Sequence, residues 1–182
     1  RLMKYGLAPT IKQAFEEIYK APFIAKILLA ELGVKPERDL FLSINYDGNF
    51  EESRGWAGLG ATSSVQSRMR RYVESQPAFA QASLAQAVEL ALCTWAVGSL
   101  AQAASESPAA ESSSPRVSDE QTEGDGSSLP DKAALLAHVR QTVAEKSLEC
   151  VLLERRGPGS AKYRALRPAE LGGLLPPAVS EP

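Results

Sequence analysis

The chain is short of the residues that most chemistry needs. Its 182 residues include one histidine, His138, and two cysteines, Cys93 and Cys150. One histidine leaves a single place for a Ser-His-Asp or Cys-His arrangement. With two cysteines so far apart, it cannot complete a standard zinc site. Both cysteines sit in apolar runs and are far too few for a disulfide framework, which points to a reducing cytoplasm. Aromatic residues make up 7%, and none stands ready as a stacking platform for RNA. Basic charge is not in excess either. There are 20 Lys and Arg against 22 Asp and Glu, a formal net charge of −2, whereas a dedicated nucleic-acid binder carries a basic surplus. No signal peptide is visible. The sequence opens at Arg1 with helical patterning already under way from Leu7, and is expected to lack an N-terminal part.

What the chain does have is one long apolar run, Leu84 to Ala103. Gln86 and Glu89 lie inside it, Trp95 is central rather than at an end, and no basic residues flank it. A membrane span wants about 20 residues almost free of charge, with aromatic and basic residues at its borders. The run is therefore expected to be a buried helix of a soluble protein.

Periodicity places the other elements. Ile11, Ala14, Phe15 and Ile18 fall at helical spacing over Thr10–Lys20, with Thr10 as N-cap and Pro22 as the stop. Phe23–Leu32 is apolar on both alternating faces, the pattern of a strand covered on both sides. Leu40, Leu42, Ile44 and Tyr46 alternate as in a half-buried strand. Asp47-Gly48 marks a hairpin turn, because glycine supplies a positive φ. The returning strand runs through Phe50 and again over Trp56–Gly60. Ala61–Glu74 is expected as a helix burying Val65, Met69, Tyr72 and Val73. Ser83-Leu84-Ala85-Gln86 fits a capping box that starts the apolar helix, which is expected to be sandwiched between neighbours.

Residues 105–130 change character. Ser, Glu, Pro, Gly and Asp dominate with almost no large apolar side chain, so this stretch is expected as a disordered insertion. Asp131–Glu145 returns to a helical pattern. Ser147–Glu154 and Lys162–Leu166 read as a hairpin around a Gly-Pro-Gly loop, Pro168 begins a short helix reaching Leu175, and residues 176–182 read as a loose tail. The expected organisation is thus a core over 1–104, the insertion over 105–130, the rest of the same domain over 131–175, and the tail.

No constellation in this order is a catalytic set. His138 lies at the edge of an apolar stripe, as a helical histidine without chemistry would. Gly58-Leu59-Gly60-Ala61-Thr62 stands between a strand and a helix, where phosphate loops occur. It lacks the lysine of a Walker motif and the acidic residue of a dinucleotide unit, so a tight strand-to-helix turn is the better account. Arg54, Arg68, Arg70 and Arg71 suggest a solvated face or a subunit contact. Arg155, Arg156, Lys162, Arg164 and Arg167 suggest a charged hairpin edge that discourages aberrant pairing.

Taken in order, the segments resemble the C-terminal half or more of a 20S proteasome subunit, in particular the α-type subunits of actinobacteria. The resemblance is carried by Tyr19-Lys20-Ala21-Pro22-Phe23 leading to Leu29-Ala30-Glu31-Leu32, and by Arg38-Asp39-Leu40-Phe41 with Asn45-Tyr46-Asp47-Gly48. It continues through Leu59-Gly60-Ala61-Thr62, Ser83-Leu84 with Ala87-Val88-Glu89-Leu90-Ala91, Ser147–Leu153, and Tyr163-Arg164-Ala165-Leu166. Order and spacing carry the weight. Ala61 in place of a usual glycine, the long insertion and the helix over Asp131–Glu145 depart from the family pattern.

The resemblance implies an α+β fold, the four-layer αββα sandwich of N-terminal nucleophile hydrolases, here incomplete at its N-terminus. Catalysis in such particles uses an N-terminal threonine whose own amine serves as base. Arg1 is not that residue, so the chain itself is expected to be inactive within a threonine-type endopeptidase complex. The resemblance assigns no catalytic, cofactor or metal residues. It implies seven-membered α rings that restrict substrate access, β-type rings beneath them and a ring-shaped ATPase above, all in the cytoplasm, with neither nucleic acid nor membrane as partner. Two alternatives stay open: a β-type subunit fragment, which would be a peptidase by class, and an unrelated protein-interaction module.

Overall fold

The structure is a computed structural model and describes residues 3–17, 24–77, 82–106, 128–157 and 162–180. It is a mixed α+β protein with two compact units. The first comprises Arg1–Leu59 and Leu153–Lys162, the second Gly60–Leu152 and Tyr163–Pro182.

In the first unit a π-helical turn, Met3–Leu7, runs into helix α1 (Ala8–Glu16). Thr10 is therefore not an N-cap. It lies inside the helix, and its Oγ1 donates to the Gly6 carbonyl at 2.8 Å, because the chain is already helical upstream. Ile18–Lys20 and the Pro22 stop lie outside the described residues. Strands β1 (Ile27–Glu31), β2 (Leu40–Ile44) and β3 (Phe50–Ser53) form an antiparallel sheet in that order. The register pairs Leu29 with Leu42 and Ile44 with Phe50.

Side chains alternate across a strand, and β2 uses this to send Leu42 and Ile44 into a small core with Ala8 and Ile11 of α1. Among the described residues of this unit, α1 packs on one face of the sheet. That is why β1 departs from expectation: it is an edge strand of five residues, half-buried at its start and exposed at its end, not a strand covered on both sides.

The β2–β3 turn forms at the predicted Asp47-Gly48. Asn45 donates its N–H to the Asn49 carbonyl at 2.8 Å, and Gly48 donates to the Asn45 carbonyl at 2.9 Å. The Asp47 carboxylate accepts from the Asn49 backbone at 2.9 Å and from its Nδ2 at 2.6 Å. Gly48 has φ +79°, and a Cβ there would sit 2.4 Å from the Lys12 Cβ. The glycine thus serves both the turn and the close approach of α1. Trp56–Gly60, expected as further strand, has no regular structure; the chain leaves the sheet just before it, at Gly55 with φ +84°.

The second unit is mainly helical. Helix α2 (Ser63–Glu74) is capped by Thr62, whose Oγ1 accepts from the Val65 N–H at 3.3 Å, and it buries Val65, Met69, Tyr72 and Val73 as their spacing predicts. Helix α3 (Leu84–Glu106) begins at a reciprocal capping box. Gln86 donates its N–H to Ser83 Oγ at 3.3 Å, and Ser83 donates its N–H to Gln86 Oε1 at 2.8 Å. Helix α4 (Lys132–Glu145) starts under Asp131, which accepts from the Ala134 N–H at 2.7 Å.

Helix α3 packs against both α2 and α4. Its contact with α2 is close at Gly98, where an added Cβ would lie 2.8 Å from Met69 Sδ. Leu135 and Val139 of α4 are fully buried with Cys93, Ala96 and Val97 of α3 in the main core. Burial of an aliphatic side chain of this size contributes about 1.5–3 kcal/mol. By length and composition Leu84–Ser105 would suffice to cross a membrane. It is sandwiched between α2 and α4 as expected. Leu84 and Ala91 are nonetheless exposed and Trp95 is 40% exposed.

Strands β4 (Val151–Leu153) and β5 (Tyr163–Ala165) form the closing hairpin, shorter than the expected Ser147–Glu154 and Lys162–Leu166. Residues 147–150 run without strand geometry, and Leu148 and Cys150 pack on the helical core. Helix α5 (Pro168–Gly172) opens with its proline in the first turn, where a missing N–H is harmless. The tail is not loose throughout: Pro177–Ser180 forms a helical turn, α6, and Val179 enters the main core. Composition concealed this, since two prolines read as an end to structure yet here fix the start of a turn.

Most of residues 105–130 lie outside the described residues; Ser105 and Glu106 complete α3. The helices on either side of that insertion share one core.

Candidate functional site

The second unit brings its chemistry-bearing side chains together along α3 and α4. His138 on α4 reaches Ser99 on α3, with Nε2 3.0 Å from Oγ. The Trp95 indole stacks on the imidazole at 5.6 Å between centroids and 13° between planes. Trp95 and Ser99 are one helical turn apart, so both meet the same neighbour.

A Ser–His contact raises the question of a nucleophile, and the geometry answers it. Among the described residues no acidic side chain hydrogen-bonds to His138, so nothing fixes its tautomer as a third triad member would. Ser99 lies inside α3, where backbone N–H groups bond to carbonyls one turn back and are not free to hold an oxyanion. The pair joins two helices. Sequence reasoning placed His138 correctly at the edge of its stripe but did not find Ser99 or Trp95, since the contact depends on how α3 and α4 cross.

Beside this pair lies a cavity of about 460 Å³. Its walls are mostly apolar, with Leu92, Trp95, Val143, Leu148 and Leu171 among them, and Lys146 and Glu149 stand on the 146–150 side. Ligand sites usually combine apolar walls with a few convergent polar groups. Here the one hydroxyl that faces the cavity from α4, Thr142, already donates to the His138 carbonyl at 3.0 Å.

A second polar group crosses the same helices. Lys132 pairs with Glu89, and that bond raises the lysine pKa. Next to it Tyr72 and Cys93 are buried in the same core. Burial, more than any other cause, pushes both the tyrosine and the thiol up. A thiol held protonated is a poor nucleophile and a poor metal ligand. Cys150 is half-buried and distant in sequence. The described residues contain no cluster of three His, Cys, Asp or Glu side chains suited to a metal ion.

The loop before α2 turns inward. Gly60 donates its N–H to Gln66 Oε1 at 2.5 Å, and Thr62 is engaged as the cap. These groups build the turn that enters α2, preceded by irregular chain and not by the expected strand, so the Gly60 amide and the Thr62 hydroxyl are in use.

The basic residues of the last hairpin are not simply a charged edge. In the first unit the Arg155 Nη2 donates to both Asp39 oxygens, at 2.5 and 2.6 Å, and its Nη1 donates to the Gly33 carbonyl. Asp39 also accepts from the Gly33 N–H at 2.9 Å. In the second unit Arg164 and Arg167 both donate to Glu170, at 3.1 and 3.0 Å. Chiefly through the Arg167 side chain, its carboxyl is held down at about 2. Arginine's planar fork suits such carboxylate contacts.

No family model matches this chain, and neither the curated proteins nor the solved structures contain a match to it. The functional reading therefore rests on the chain itself.

Proposed function

We propose that the chain is a non-catalytic α-type subunit of a 20S proteasome core particle, part of the outer ring that restricts substrate access during ATP-dependent protein degradation. The observation that carries this reading is the order of elements. An antiparallel strand meander turns through Tyr46-Asp47-Gly48, a Thr-capped turn leads into a helix, and then come a second helix packed on the first, a third helix after the insertion, a closing hairpin and short terminal helices. The resemblance set out above rests on the same order.

In this reading α2 and α3 are one helical layer of an αββα sandwich and α1 belongs to the other. The partners are further α-type subunits, β-type subunits and a ring-shaped ATPase, in the cytoplasm. The half-exposed Trp95 and the apolar cavity beside it are consistent with a chain that buries more surface in an assembly.

The test is native mass spectrometry of the full gene product co-expressed with its candidate β partner. A heavy particle with sevenfold stoichiometry of both chains is expected. A stable monomer that neither associates nor supports peptide hydrolysis would overturn the proposal and favour an interaction module.

A further inference from the structure

We draw no further inference here: the strongest candidate, the apolar cavity between α3 and α4 beside Trp95, is an unpartnered face, and nothing in the structure shows what covers it.

Discussion

Arg155 holds Asp39 from 116 residues away in sequence, through both carboxylate oxygens at 2.5 and 2.6 Å. The same guanidinium takes the Gly33 carbonyl, so the tip of the closing hairpin fastens the turn between β1 and β2. Replacing Arg155 with Gln is expected to loosen that turn. Hydrogen exchange at the Gly33 amide, which donates to Asp39, should accelerate in the variant. Unchanged exchange would mean that the turn is held by its own backbone bonds.

Acid stability follows from the same carboxylates. The Arg155 hydrogen bonds hold Asp39 below the usual range, and Glu170 is held at about 2, chiefly by the Arg167 side chain. A carboxyl with a depressed folded pKa contributes stability that is complete above its unfolded value, about 4. That contribution is lost as pH falls through the folded value. The wild-type chain should therefore lose stability from about pH 4.5 downwards. The Asp39→Asn, Glu170→Gln double variant should have a flatter acid limb in denaturant titrations run at pH 7, 4 and 3. Parallel limbs would show that other carboxylates set the slope.

Gly48 is constrained twice, by a positive φ and by contact with α1. Gly48→Ala is expected to destabilise the chain by about 1–3 kcal/mol, the usual range for a residue forced into a sparsely populated backbone region. Gly48→Asn separates the two causes, since asparagine tolerates the left-handed region but still carries a Cβ. If Asn restores stability in thermal unfolding, the contact with Lys12 is unimportant. If it is as damaging as Ala, the contact dominates.

At Gly98 two effects oppose each other. Alanine favours the helix by about 1 kcal/mol over glycine, while its Cβ would press on Met69 Sδ at 2.8 Å. The methionine is flexible enough to give way, so Gly98→Ala should fall within about 1 kcal/mol of wild type. Gly98→Leu should cost about 1–3 kcal/mol as overpacking, and Met69→Ala in the same chain should recover part of it. Additive effects in that double-mutant cycle would place the strain elsewhere.

Alkylation should discriminate between the two cysteines. Cys93 is 1% exposed and burial raises its pKa, whereas Cys150 is half-buried. Iodoacetamide on the native chain should label Cys150 first, with Cys93 reacting only after unfolding. Equal rates, read by peptide mass spectrometry, would contradict the packing of α3.

Local signals proved sufficient where they are strong and self-contained. The Ser83–Gln86 capping box, the Asp47-Gly48 turn, the buried stripe of α2 and the proline start of α5 are each decided within a few residues. Signals that depend on what packs alongside were less legible. Phe23–Leu32 has the composition of a covered strand, yet β1 lies at an edge beneath a single helix. The exposure of Leu84 and Trp95 on the apolar α3 is likewise not marked by its sequence. Of the α3–α4 site, His138 was visible, but its meeting with Ser99 and Trp95 follows from the crossing of two helices joined through a long insertion. Arg155 likewise read as surface charge, because its partner Asp39 is remote in sequence.

The turn at Asp47-Gly48 also bears on how this chain ages. An aspartyl-glycyl bond rearranges when the glycine nitrogen attacks the aspartate side chain and closes a succinimide ring. Here that nitrogen's hydrogen is bonded to the Asn45 carbonyl, and both carboxylate oxygens are engaged by Asn49. The bonds that set the hairpin register therefore restrain both nucleophile and electrophile, and isoaspartate should accumulate at this bond more slowly in the folded chain than in the unfolded one.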